Sequence, residues 1–471
     1  MPTAIRDALV AALGNGAVLT APEDLAAYAF DAYTETGLPV AAVLPQDAQQ
    51  VAAVVRIALE RGEPIVARGA GTGLCGGAVP TDGGIVVSFA RMNRILELDP
   101  ADRRALVQPG VVNLDLSRAA AVHGLFFGPD PSSQKTSTIG GNAATNAGGP
   151  HALSYGSMSA HVTGVEFVDG AGEIVWVSCD QAGYDITGVL VGSEGTLGIL
   201  TAIEVRLLRL PHAVRVCVAA FGDIDAASAC VSAIVAAGIA ATALEIMDRT
   251  IVRAVEAHYR AGYPQEAGAV LLVEVAGEPA DVEATEAAIA RLARDHGAIA
   301  WRAAANERER AALWAARKGA AGALGRIAPN YYIQDATVPR SRLPDAVRRV
   351  EAIARDHRLP VGNVVHAGDG NLHPLLIFDR RERRELDAVI SAGHDILVAC
   401  IDLGGTISGE HGIGYEKRDT LPLVFGPNDI ATMLLLQDVF DARHAFNPGK
   451  IFPPKSVCAE VLEPAPTLAS A

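Results

Sequence analysis

The sequence predicts an α+β protein built from more than one domain, and three observations carry that prediction. The chain has 471 residues, too many for one hydrophobic core of ordinary domain size. Its first half strings short apolar runs between glycine-rich loops. Beyond Pro211 strands alternate with helical runs, which suggests a sheet with helices on one face.

The elements follow in order. Val51, Val54, Val55, Ala58 and Leu59 give residues 47–60 one apolar helical face. Residues 64–67 read as a short buried strand running into Arg68-Gly-Ala-Gly-Thr-Gly-Leu-Cys-Gly-Gly77. Strands at 84–88 and 104–108 come next, then a helix over 113–122. Between Phe127 and Gly156 the residues are mostly Gly, Pro, Ser, Thr and Asn. A long structureless loop of that kind inside a compact domain is usually functional. Strands at 164–168, on to 177, and at 198–208 close the first half. In the second half, strand 214–221 leads to helix 223–237 and strand 270–275 to helix 280–296, with a strand near 298–303. Helices near 306–324, 343–356 and 383–403 bracket the segment 361–378. The uncharged run 226–244 is long enough to span a membrane, but its small residues suit a buried helix entering a strand. No signal peptide is expected. The expected domains are 1–35 (helical), 36–211, 212–455 and a tail, 456–471.

Charge narrows the partners. The net charge is −15, with no run of Lys or Arg, which argues against a nucleic-acid or anionic-membrane surface. An anionic ligand must then be held by backbone N–H groups and a few placed cations. The six cysteines (Cys75, Cys179, Cys217, Cys230, Cys400, Cys458) include no Cys-x-x-Cys pair. An iron–sulfur cluster or zinc ribbon within this chain is therefore not expected; reduced, buried cysteines in a cytoplasmic protein are.

Gly71-Thr-Gly73-Leu-Cys-Gly76 matches the dinucleotide pattern Gly-x-Gly-x-x-Gly, which counts only if a helix follows. Ala78-Val-Pro80-Thr-Asp-Gly83-Gly84 cannot start one, so the NAD reading fails on context. A glycine-rich connection between strands remains, either a plain tight turn or a nest of bare amides for a pyrophosphate. A second loop carries Pro129-Asp130-Pro131-Ser132-Ser133, Ser137-Thr-Ile-Gly-Gly-Asn142 and Asn146-Ala-Gly-Gly149; a third is Gly192-Ser-Glu194-Gly-Thr-Leu-Gly-Ile199. Three such loops from one domain suit a large, extended, polar ligand better than a phosphate alone.

Together these segments resemble the FAD domain of the vanillyl-alcohol-oxidase (PCMH-type) superfamily. The resemblance covers nearly the whole chain and is strongest toward bacterial glycolate oxidase D subunits and FAD-linked D-lactate dehydrogenases. It implies a two-subdomain FAD-binding domain followed by an α+β substrate (cap) domain with a ferredoxin-like sheet. It also implies FAD contacts at Arg68, Gly69, Ala70, Gly71, Thr72, Gly73, Gly76, Gly77, Pro129, Asp130, Ser132, Thr138, Gly140, Gly141, Asn142, Asn146, Glu194, Gly195, Ile199 and Asn447. Some members attach FAD through a histidine in the first loop; Thr72 and Gly73 stand here, which implies non-covalent FAD.

Two segments of the second half carry imidazoles: Val365-His366-Ala-Gly-Asp369-Gly-Asn371-Leu-His373 and Ser408-Gly-Glu410-His411-Gly-Ile-Gly414. Two His and one Glu with an open position form a catalytic zinc-type ligand set, although spacing alone leaves a structural pair equally open. The resemblance implies that His366, His373 and Glu410 hold a divalent metal, zinc foremost, and that His411 is the base. It gives Arg317, otherwise readable as a solvated helix charge, the substrate carboxylate. Asn371 and Lys450 become substrate contacts, though a turn residue and a surface cation are their plain readings. Relatives that oxidise 2-hydroxyglutarate carry a lysine for the distal carboxylate just before the aspartate that Asp335 resembles; Tyr331-Tyr-Ile-Gln334-Asp335 has none, so the resemblance implies a short monocarboxylate.

The expected function is FAD-dependent oxidation of glycolate or D-lactate, with metal-assisted proton abstraction and hydride transfer to flavin N5. The competing readings are a D-2-hydroxyglutarate or other 2-hydroxy-acid dehydrogenase, a zinc hydrolase, and a non-catalytic FAD-binding subunit. Expected partners are an iron–sulfur or other electron-transfer subunit, which would place the protein peripherally at the inner membrane, and a second copy in a homodimer.

Overall fold

The structure, a computed structural model, describes residues 2–454. Cys458 and the expected 456–471 tail lie outside the described residues. The chain divides into two compact units. One comprises Met1–Ala147, Ser157–Arg209 and Glu410–Ala471; the other comprises Gly148–Gly156 and Leu210–Gly409.

The first unit holds two main sheets. A four-stranded sheet runs in the order Val18–Leu19, Ala41–Val43, Ile85–Ser88, Ile65–Arg68. Its last two strands pair in parallel, Ile65 opposite Ile85 through Arg68 opposite Ser88. Parallel neighbours need a crossover, and residues 69–84, the glycine loop, make it without a helix. Helix Ala48–Arg61 covers this sheet. Asp47 caps it by accepting the Gln50 N–H at 2.9 Å, and Gly62 ends it at φ 67°. Its buried Val51, Val54, Val55 and Ala58 share a core with Val43, Ile65, Ile85 and Val87. A five-stranded antiparallel sheet runs Ile95–Asp99, Arg104–Val107, Ile199–Arg206, Val162–Val168, Ile174–Ser178.

Residues 127–156, expected as one structureless loop, contain the short helices Ile139–Ala144 and Ala152–Tyr155. Thr138 starts the first by accepting the Gly141 N–H, so the Ser-Thr-Ile-Gly-Gly-Asn segment is a capped helix start.

The second unit is organised on an eight-stranded sheet. Seven strands lie in the order Ala300–Ala303, Ala213–Phe221, Ala269–Gly277, Ala243–Asp248, Val361–His366, Asn371–Phe378, Asn330–Ile333, and Ala336–Thr337 also pairs with Asn371–Phe378. Successive residues point to opposite faces. Val216, Val218, Val270, Leu272, Met247, Val364 and Leu375 share one face with helices Arg249–Tyr259 and Glu307–Lys318. Cys217 points to the other face and meets Glu286 of helix Pro279–Asp295. Helices thus cover both faces, not the single face expected. The reason was legible: runs such as Val216–Phe221 and Val270–Val273 are continuously apolar and buried throughout, the mark of strands covered on both sides.

The run 226–244 divides into helix Ile224–Ala236 and the entry to strand Ala243–Asp248. No helix among the described residues is long and apolar enough to cross a membrane. Cys75, Cys217, Cys230 and Cys400 are buried and in no disulfide among the described residues, whereas Cys179, expected buried, is exposed just past strand Ile174–Ser178.

Candidate active site

In the first unit the three loops meet. Gly69 faces Thr138 so closely that a Cβ would lie 2.4 Å from the threonine hydroxyl. Gly140 rests on Pro109, where a Cβ would come within 2.4 Å. From the third loop, the Gly192 and Glu194 N–H groups donate to the carbonyls of Ala143 and Ala144. Gly71, Gly76, Gly192 and Gly195 all have positive φ, a conformation costly for residues with a Cβ. The backbone N–H groups of residues 70–74 reach no acceptor among the described residues. Such a run of unspent backbone donors suits an anionic pyrophosphate.

Several side chains expected to face the cofactor are engaged within the protein. Arg68 is buried; it donates to the Phe30 carbonyl at 2.6 Å and lies over the Tyr28 ring. Asn142 donates to Asn113 Oδ1, and Asn113 in turn donates to the Pro129 carbonyl, each at 2.9 Å. The Asn146 side chain accepts from Ser157 and from the Ser159 N–H. Asn447 donates to the carbonyls of Gly77 and Glu194 at 2.9 and 2.7 Å. Lys450 donates to Val79 O and Thr81 Oγ1 at 2.9 and 3.1 Å. Ile199 packs in the core beside Val168. These side chains are spent on holding the loops together.

Glu194 has the most consequential placement. It is buried with φ 52°, and its two carboxylate oxygens each accept one N–H, from Ile413 and Gly414, both at 2.7 Å. Burial pushes its pKa up, while those donors and the charges of Lys417 and Lys450 pull it down. The Cys75 carbonyl accepts the Tyr415 N–H, and its thiol reaches Gly412 O. The segment carrying Glu410 and His411 is thereby stitched to the glycine loops. His411 Nε2 lies 3.9 Å from Glu410 Oε1.

In the second unit the pleat gathers a polar row onto the face shared with helix Glu307–Lys318. Glu245 stands opposite His366, and His373 opposite Val364, so His366 and His373 are diagonal neighbours across two strands. Their ring centroids are 4.9 Å apart and the rings edge-to-face. His366 Nδ1 lies 2.8 Å from Glu245 Oε1, and His373 Nδ1 lies 3.4 Å from the Gln334 carbonyl. An oxygen acceptor at Nδ1 is the usual arrangement around histidines that bind metals through Nε2, and both rings have one. Arg317 is buried, ion-paired to Glu245 Oε2, and 3.4 Å from His366 Nδ1. Its Nε reaches no acceptor among the described residues. Asn371 is buried opposite His366, and its Oδ1 is likewise unmatched. Asp335, wholly buried, accepts from Ser408 Oγ at 2.7 Å and from the Gly409 N–H at 3.0 Å. Glu410 follows Gly409 directly in the chain.

Three residues of this row went unread in the sequence. Glu245 and Glu274 are acids inside apolar strands, and that incongruity was their signal. Glu274 accepts from Trp314 Nε1 at 2.6 Å and lies 2.9 Å from His151 Nε2. Asp335 had no such signal.

Comparison with known proteins fits this geometry. Residues 210–451 match the family described as FAD linked oxidases, C-terminal domain, and residues 39–178 match an FAD binding domain. The chain is 42% identical over 425 residues to glycolate oxidase subunit GlcD of Escherichia coli K12, covering 90% of this chain and 85% of that protein. Identity to the GlcD subunit of Bacillus subtilis is 41%, covering 90% and 92%. A D-lactate dehydrogenase of Archaeoglobus fulgidus is 35% identical, covering 90% and 95%. Among solved structures, p-cresol methylhydroxylase with substrate bound superposes at TM-score 0.80 and 16% identity, covering 96% and 97%. At that identity the likeness speaks for the fold alone.

Proposed function

Since the chain belongs to the FAD-linked oxidases, we propose that it oxidises a short 2-hydroxy acid, glycolate or D-lactate, to the 2-oxo acid. The observation that carries this reading is the buried row of Arg317, Glu245, His366 and His373 on one sheet face. The names of its relatives, glycolate oxidase and D-lactate dehydrogenase, support it.

The roles follow from the chemistry of each group. Arg317 binds the substrate carboxylate with the edge of the guanidinium that Glu245 leaves open, where its Nε lacks an acceptor. Asn371, buried on the same face, contacts the substrate through its side-chain amide, whose NH2 group can donate to a substrate oxygen. His366, His373 and Glu410 are a donor set suited to a divalent metal, zinc first. Bound there, the metal supplies Lewis-acid polarisation that lowers the hydroxyl pKa. His411 takes the hydroxyl proton. FAD, when bound non-covalently against the glycine loops, supplies the hydride acceptor. The resemblance puts a lysine for a distal carboxylate just before Asp335 in relatives that take the longer diacid, and Gln334 stands there instead, which favours a monocarboxylate. With no cluster motif in the sequence, electrons pass to a separate acceptor, an electron-transfer subunit foremost.

The test is an anaerobic panel of D- and L-2-hydroxy acids scored by bleaching of the visible flavin band. D-lactate or glycolate should bleach it, and D-2-hydroxyglutarate should do so poorly. His411→Ala should retain FAD and bleach about 100-fold or more slowly. A flavin unaffected by every acid in the panel refutes the reading.

A further inference from the structure

We propose that Glu245 is a positioning residue shared by the two halves of the site, orienting His366 with one carboxylate oxygen and Arg317 with the other. The inference rests on the functional reading above and adds to it a residue touching neither substrate nor metal.

The geometry is specific. Glu245 is the residue of strand Ala243–Asp248 directly opposite His366, and only 1% of it is exposed. Its Oε1 lies 2.8 Å from His366 Nδ1 and its Oε2 pairs with Arg317. A buried carboxylate is costly unless matched; here Oε1 meets the imidazole and the charge on Oε2 is balanced by the guanidinium. A carboxylate at Nδ1 fixes the tautomer with Nδ1–H and turns the Nε2 lone pair outward. The same carboxylate neutralises Arg317 and holds one edge of its planar fork, so that only the remaining edge is open to an anion. Glutamine is nearly the same shape but has one acceptor oxygen, so it cannot serve both partners. The charged guanidinium is the stronger competitor for that oxygen, and His366 loses its orienting acceptor.

The test uses the FAD-loaded full-length protein, with Zn²⁺ as the probe in competition with a chromophoric chelator. Glu245→Gln should keep FAD and weaken Zn²⁺ binding about 10–100-fold. Adding Arg317→Met should return the introduced amide oxygen to His366 and restore Zn²⁺ affinity to within about threefold of wild type, while substrate KM stays raised because the carboxylate grip is gone. Glu245→Leu with Arg317→Met also leaves no lone buried charge but offers no acceptor, so Zn²⁺ binding should again be about 10–100-fold weaker. The two double variants keep the comparison decisive even if the single variant fails to fold. Equal Zn²⁺ affinity in both double variants overturns the role of Glu245 while leaving the proposed reaction standing. A wild type that neither binds Zn²⁺ nor is bleached by any 2-hydroxy acid overturns both together.

Discussion

At the scale of single residues, Lys450 shows how far a sequence-level role can differ from a physical one. Read as a surface cation or a substrate contact, it is only 2% exposed and bonded to the crossover loop at Val79 and Thr81. Burial drives its pKa down from 10.5 to about 8, partly countered by Asp82 and Asp31. The native state therefore holds this proton less tightly than the unfolded chain does. The resulting stability is fully present above pH about 10.5 and is lost as pH falls through about 8. The unfolding midpoint should rise between those limits, and Lys450→Met should flatten the rise; an unchanged profile in the variant contradicts the assignment. The histidines were legible because imidazoles flanking a glycine turn are rare and chemically suggestive. Glu245 was less so: its meaning depends on a strand pairing with His366, 121 residues away, which no local pattern encodes.

At the scale of elements, the glycine loops could be read from composition, because close backbone approach demands glycine wherever the sequence lies in the fold. Which side chains support those loops could not be read, since Arg68, Asn447 and Lys450 find their acceptors on distant loops. The two-sided cover of the large sheet was missed although its apolar runs announced it. The segment 410–414 gives the clearest prediction at this scale. Glu194 holds it with two acceptor oxygens, and Glu194→Gln replaces one of them with a donor facing an N–H group. Losing one buried charge-assisted bond costs about 1.5–3 kcal/mol. Flavin should stay bound, with substrate-driven bleaching slowed about tenfold or more; stopped-flow rates equal to wild type would show that the anchor is dispensable.

At the scale of the whole molecule, the chain leaves the first unit at Arg209, builds most of the second unit, and returns at Glu410. The outward passage was legible near Pro211, where the pattern of the sequence changes. The return was not legible, because residues 410–414 are another glycine-rich turn and the partners of Glu194 lie 219 and 220 residues away. A chain ending at Gly409 keeps all three glycine loops but lacks the partners of Glu194 and Cys75. Such a truncation should emerge from gel filtration without flavin; stoichiometric flavin in that peak would contradict it. The discontinuity also sets a timetable for synthesis. Strand Ile65–Arg68 is made long before its neighbour at Phe446. Loop closure over such a span is slow, and until it occurs the nascent first unit displays the apolar surface around Ile65 and Phe446. Completion of this first unit therefore waits for the segment around Phe446, and chains lacking it are natural clients for chaperones and proteases.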